Sequence, residues 1–283
     1  MAMGPSCSGR LSLTRRPANI RRPSHTRARE RNGMAAKAAL ITGSARRIGR
    51  AIAAHLAGEG WDIAVHYNTS RPEAESLARE VEAAGVACRL YQEDLVDPAA
   101  ADRLVAACVA DLPHISLLVN SASVFKKDTV ATLRPELWEE HLRINALAPI
   151  LLTRAFHRLC RVPHCVINML DQKVANATPD FFSYTISKLA LHNATRMLAM
   201  SLWPKTRVNG IAPGLVLRSG DQTEEQFKAV HRKTPLGIGP SLAEICRAVV
   251  LLAETPSITG QVITIDGGRH LLQKFPFDDL PKE

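Results

Sequence analysis

The stretch TGSARRIGR (Thr42 to Arg50) follows the apolar run AALIT and opens an amphipathic segment. A strand passing straight into a helix through a glycine-containing turn brings backbone amides and the positive end of the helix together, an arrangement suited to a pyrophosphate. Gly43 and Gly49 bracket this turn, and Ile48 lies inside it. Two glycines six apart are a weak signal alone. The turn also carries Arg46 and Arg47 side by side, where bare backbone is the rule, and that departure needs a reason.

Outward from the turn, short apolar runs alternate with amphipathic segments. AALIT, WDIAVHY, ACRLYQ, ISLLVNSA, HCVINML, RVNGIAP and QVITIDGG read as strands. The segments 48–60, 72–84, 99–111, 135–160, 182–203 and 242–253 read as helices. This order predicts an α/β fold: a single-domain, Rossmann-like, doubly wound seven-stranded parallel sheet with helices on both faces. Its ligands would sit beyond the carboxyl ends of the strands, where TGSARRIGR lies. The polar segment 215–240 lacks strong periodicity and is expected to be a flexible loop over that edge.

A net charge of +9 over 283 residues suggests nucleic acid until its distribution is considered. Residues 1–36 hold eight arginines against Glu30 alone, so most of the excess lies in a tail, and the body is nearly neutral. That tail is rich in Arg, Ser and Pro, has no apolar run, and is expected to be disordered. It loosely resembles an organellar transit peptide; Met34 offers the alternative of an upstream extension of the reading frame. The division expected is tail 1–36, one main domain 37–272 and a C-terminal extension 273–283. No apolar stretch reaches membrane-spanning length. Six scattered cysteines without metal-ligand spacing fit reduced thiols in a cytoplasmic protein with no metal site.

The second strand ends without the carboxylate that would bind the ribose 2′-hydroxyl of NAD. Ser70 and Arg71 follow it instead, and with Arg46 they suit the 2′-phosphate of NADP. Asp94, after the third strand, is placed to bond an adenine amino group. Tyr184 and Lys188 in YTISK share one helix face, an arrangement expected to lower the phenol's pKa and to hold a nicotinamide ribose hydroxyl.

TGSARRIG, Asp94-Leu95, NSAS at 120–123, Asn145, YTISK and RVNGIAPG, in this order, resemble the short-chain dehydrogenase/reductase family over about residues 37–272. The resemblance implies hydride transfer from NAD(P)H, usually in a homotetramer. It adds Leu95, Asn120, Ala122, Pro213 and Gly214 to the cofactor contacts and Asn145 to the catalytic set, supporting the lysine through a water. Three departures stand out: Arg47 replaces the middle glycine of the turn, Asp171 replaces the substrate-orienting serine, and NSAS with Phe125 replaces NNAG. Together these resemble the pteridine reductase branch, and IDGGRHLL is similar to its bacterial dihydromonapterin reductases. Val216 and Thr69 depart from that branch, which often has serine at the first position and in some members arginine at the second.

The expected activity is therefore NADPH-dependent reduction of a pterin or folate, dihydropterin to tetrahydropterin. Arg47, Ser123, Phe125, Asp171 and Tyr184 would line the substrate site, Phe125 against one ring face. Asp171 would feed a proton to Tyr184. Simpler roles compete: Phe125 as core, Asp171 as a loop cap, Asn145 satisfying backbone, Arg47 as a surface residue. The alternative enzyme is a carbonyl or 3-oxoacyl thioester reductase using the same Tyr184 and Lys188. The alternative outside catalysis is a silent NADP-binding sensor.

Overall fold

The computed structural model describes residues 36–218 and 222–272. Expectations for the N-terminal tail and the C-terminal extension fall outside them.

Seven strands form one parallel sheet: β1 (Ala38–Ile41), β2 (Asp62–Tyr67), β3 (Cys88–Gln92), β4 (Ile115–Asn120), β5 (His164–Met169), β6 (Thr206–Pro213) and β7 (Val262–Ile265). They lie in the order β3-β2-β1-β4-β5-β6-β7. Residue alternation sends successive side chains of β1 to opposite faces. Ala39 and Ile41 meet α1 (Arg47–Gly58), α2 (Arg71–Ala83) and α8 (Leu242–Glu254). Ala38 and Leu40 meet α3 (Ala100–Asp111), α5 (Ala148–Leu159) and α6 (Phe182–Leu202). Both faces are thus covered, which is why β1 and β2 are buried at every residue.

The strand order reverses between β1 and β4, so the crevice that a doubly wound sheet offers to ligands opens after Ile41 and Asn120. The segment expected as one long helix from 135 to 160 is broken. α4 (Pro135–Leu142) passes through a π-helical turn, Arg143–Leu147, into α5. Pro149 explains the change of register: it has no N–H to give the carbonyl of Asn145, four residues earlier.

The segment 215–240 also departs from its expectation as a loop. It contains α7 (Glu224–Arg232), started by a capping box in which Thr223 and Gln226 satisfy each other's backbone N–H. The signal T-x-x-Q was present at 223–226. Weak apolar periodicity concealed it, since no residue of α7 is buried.

Candidate active site

After β1, Thr42 Oγ1 accepts from Ser121 N–H at 3.0 Å and Ala122 N–H at 3.1 Å, drawing the end of β4 against the turn. Gly43 stands at φ +64°, and a Cβ on it would lie 2.8 Å from Ala122 Cα. A Cβ on Gly49 would lie 2.7 Å from the Gly43 carbonyl oxygen. Both positions therefore require glycine, Gly43 for its backbone conformation as well. No side chain caps α1, so its first amides face the cleft without intrahelical partners, as a phosphate cradle requires.

A histidine that the sequence reading missed supports this turn. His66 Nδ1 accepts from Gly43 N–H at 3.1 Å, and Nε2 lies 3.1 Å from the Glu93 carbonyl oxygen. These two bonds select the neutral tautomer with the proton on Nε2. Burial pushes the imidazole down to about 4.

The two arginines of the turn separate. Arg46 pairs with Glu73 on α2, and both guanidinium NH2 groups of Arg47 donate to the Arg218 carbonyl at 3.1 Å. Arg47 has φ 55°, unusual for a side chain of this size. Both line the cleft, with Ile48, Asp94, Leu95 and Ala122. The expected grouping around a 2′-phosphate is only partly assembled. Ser70 and Arg71 lie outside the cleft lining, and Arg71 turns along its own helix to Glu75 at 2.9 Å. The i,i+4 spacing of Arg71 and Glu75 on α2 was the signal for this. Asn68, one strand position past Tyr67, lines the cleft instead.

Asp171, after β5, and Tyr184, in the first turn of α6, meet at 2.9 Å, the phenol donating to Oδ2. The other carboxylate oxygen accepts from Lys173 N–H at 2.9 Å and caps the turn Gln172–Val174, so Asp171 caps its loop and contacts the tyrosine at once. Lys188 Nζ donates to the Met169 carbonyl at 2.8 Å and lies 5.8 Å from the Tyr184 ring centroid.

The electrostatics differ from the expected lowering of the phenol by Lys188. Burial, and then the charge and hydrogen bond of Asp171, push Tyr184 well above its ordinary value. Burial also raises Asp171, against the hydrogen bonds from Lys173 and Tyr184 and the charge of Lys188. Burial pushes Lys188 down to about 8, with Asp171 pulling the other way. The tyrosine is thereby held as an O–H donor beside a carboxyl group of heightened proton affinity.

Asn145, in the π-helical turn, is fully buried and its amide is saturated. Its oxygen accepts from Ser123 Oγ and Val124 N–H, and its nitrogen donates to the Val124 carbonyl and Ser187 Oγ. It locks the loop after β4 to α6 and does not touch Lys188 directly. Asn120 is likewise behind the cleft, donating to Asn168 Oδ1 at 2.8 Å.

Phe125 is 45% exposed and belongs to the cleft, not the core. Its ring meets Tyr184 edge-on, with centroids 4.7 Å apart, and stacks on Phe181 at 4.3 Å and 9°. Phe181, at φ 54°, was missed, although FFS directly before YTISK was visible. Val216 packs into the core beneath, and Pro213 and Gly214 line the far wall. The whole cleft encloses about 1850 Å³. Among the described residues no group of His, Cys, Asp and Glu is arranged to hold a metal ion, and no helix is long and apolar enough to cross a membrane.

Residues 43–270 match the family model described as enoyl-(acyl carrier protein) reductase. The chain belongs to the short-chain dehydrogenase/reductase family. Within this family it is 40% identical to the FolM alternative dihydrofolate reductase 1 of Brucella canis, solved in complex with NADP, with a TM-score of 0.81 over 86% of this chain and 97% of that one. It is 29% identical to the dihydromonapterin reductase of Citrobacter koseri, over 82% of this chain and 96% of the relative. It is also 27% identical to the 3-oxoacyl-(acyl-carrier-protein) reductase FabG of Staphylococcus aureus, over 83% and 98%. The short-chain reductase frame is thus common to relatives acting on different substrates.

Proposed function

We propose that this short-chain reductase uses NADPH to reduce dihydropterins to tetrahydropterins. The observation that carries the reading is the 2.9 Å contact of Tyr184 with Asp171, flanked by the exposed ring of Phe125. The two pterin- and folate-named relatives support it.

The residues present fit the cofactor: a glycine-built turn with free helix amides, Asp94 and Leu95 along the groove, and a buried ammonium at Lys188. Bound there, NADPH supplies a hydride to the ring carbon of the substrate's C=N bond. Arg46 holds the extra phosphate with Asn68 nearby, and Lys188 with Tyr184 holds the nicotinamide ribose.

On the substrate side, Phe125 covers one face of the pterin and Ser123 and Arg47 meet its polar rim. Tyr184 gives its proton to the ring nitrogen next to the carbon being reduced. The resulting phenolate is strongly disfavoured by burial and by the neighbouring carboxyl, so a proton taken up from solvent through Asp171, whose proton affinity burial raises, restores the phenol. Asn145 positions this pair by locking Val124 and Ser187.

A 3-oxoacyl thioester reductase is the second reading, favoured by the FabG relative and by the shared tyrosine and lysine. The test is NADPH oxidation by the purified protein with dihydrobiopterin, dihydromonapterin, dihydrofolate and an acetoacetyl thioester, with NADH in parallel. Turnover of a dihydropterin with preference for NADPH is expected. Turnover of the thioester alone contradicts the proposal.

A further inference from the structure

Lys233 ends α7 and Arg269 opens the short turn Arg269–Leu271 after β7; both line the cleft. Their segments are joined: Leu236 N–H donates to the Gly267 carbonyl at 3.1 Å, and a Cβ on Gly268 would lie 3.2 Å from Pro235 Cβ. The turn is tied to the substrate loop as well, since Asn176 Nδ2 donates to the Leu272 carbonyl at 2.6 Å.

These two cations differ from the others in the cleft. Arg46 pairs with Glu73, Arg47 with the Arg218 carbonyl, and Lys173 with Asp180 at 2.9 Å. Within the described residues the side chains of Lys233 and Arg269 have no hydrogen bond or ion pair. Lys233 is exposed, but Arg269 is half-buried. Arg269 thus presents a guanidinium with five donors to the cleft, held by no protein acceptor among the described residues.

Their place in the sheet separates them from the cofactor's phosphates. β7 stands four strands from β1, on the order of 19 Å from the glycine turn, but only two strands from β5, about 10 Å from Asp171. The cleft of about 1850 Å³ also exceeds the roughly 300–1000 Å³ of an ordinary single-ligand pocket, leaving room for a substrate with a long side chain beside a dinucleotide.

We infer that Arg269 and Lys233 bind the carboxylates of an anionic substrate tail, so that the preferred substrate is a dihydropterin with a folate-type dicarboxylate tail. The inference rests on the pterin reading above. Arg269 offers a planar fork for one carboxylate and Lys233 a point charge for another.

The test measures binding and turnover separately. The full chain, saturated with NADP+, is titrated with folic acid and with 6-hydroxymethylpterin, which has the same ring and no charged tail. This is done in wild type, Arg269→Gln, Arg269→Lys and Lys233→Gln. Folic acid Kd is expected to rise about tenfold in Arg269→Gln and about threefold in the more exposed Lys233→Gln. The ratio of the two ligands' Kd should rise equally, and Arg269→Lys should recover part of the loss. Raised salt should act in the same direction on wild type. An unchanged ratio in both Gln variants overturns the inference, as does weakened NADP+ binding, which would place the cations on the cofactor. Selective folic acid binding without NADPH-dependent turnover of any dihydropterin would overturn the reductase reading and leave the tail site standing.

Discussion

Asp171 has two bonding duties, one carboxylate oxygen on the Lys173 amide and one on the Tyr184 hydroxyl. Asp171→Asn keeps the size and removes the proton source. It is expected to lower kcat for dihydropterin roughly 100-fold or more, with the Kd of NADPH little changed, as read by single-turnover kinetics and cofactor titration. The pH profile follows from Lys188, whose ammonium is the working form. With its pKa pushed down to about 8, the ammonium is present below that value and is lost as pH rises through it. The kcat should therefore fall above about pH 8; a flat profile to pH 10 would contradict the assignment. The identities of Asp171, Tyr184 and Phe125 were legible because each departs from or completes a short motif. Phe181 and the saturated amide of Asn145 were not, because they depend on which side chains the fold stacks and bonds together.

At the scale of elements, the turn TGSARRIG depends on more than its own residues. Gly43→Ala would place a Cβ at φ +64° and 2.8 Å from Ala122 Cα. It is expected to cost at least ~1–2 kcal/mol and to weaken NADPH binding about tenfold or more, measurable by calorimetry. His66 beneath the turn makes the protein sensitive to acid. Its folded pKa of about 4 lies below its ordinary value of 6.5, so the unfolded chain binds the extra proton between the two. The stability this neutral histidine contributes is whole above pH 6.5 and is lost as pH falls towards 4, on the order of 3 kcal/mol. Urea denaturation across that window should record the loss, and His66→Gln should flatten it. The turn itself was legible from glycine spacing. Its partner on β2 was not, because a histidine in a buried strand gives no sequence signal of what it bonds. The break at Arg143–Leu147 had a signal in Pro149, and α7 had one in its capping box, but both are overshadowed when apolar periodicity is read first.

For the whole molecule, the alternation of seven apolar runs with amphipathic segments was sufficient to give the sheet, because each strand buried on both faces must be continuously apolar. The same alternation says nothing about which polar groups meet across the crevice. That is decided where β1, β4 and β5 end side by side. There the aspartate after β5 reaches the tyrosine of α6, and the proposed reduction of a pterin rests on this contact. The most direct measurement is kcat/KM for dihydropterin and for an acetoacetyl thioester in wild type and in Asp171→Ser, with NADPH saturating. The account predicts that wild type turns over the dihydropterin and not the thioester, and that Asp171→Ser loses at least ~100-fold on the pterin. A wild-type enzyme that reduces the thioester faster than any dihydropterin, with Asp171→Ser unimpaired on the pterin, would contradict it.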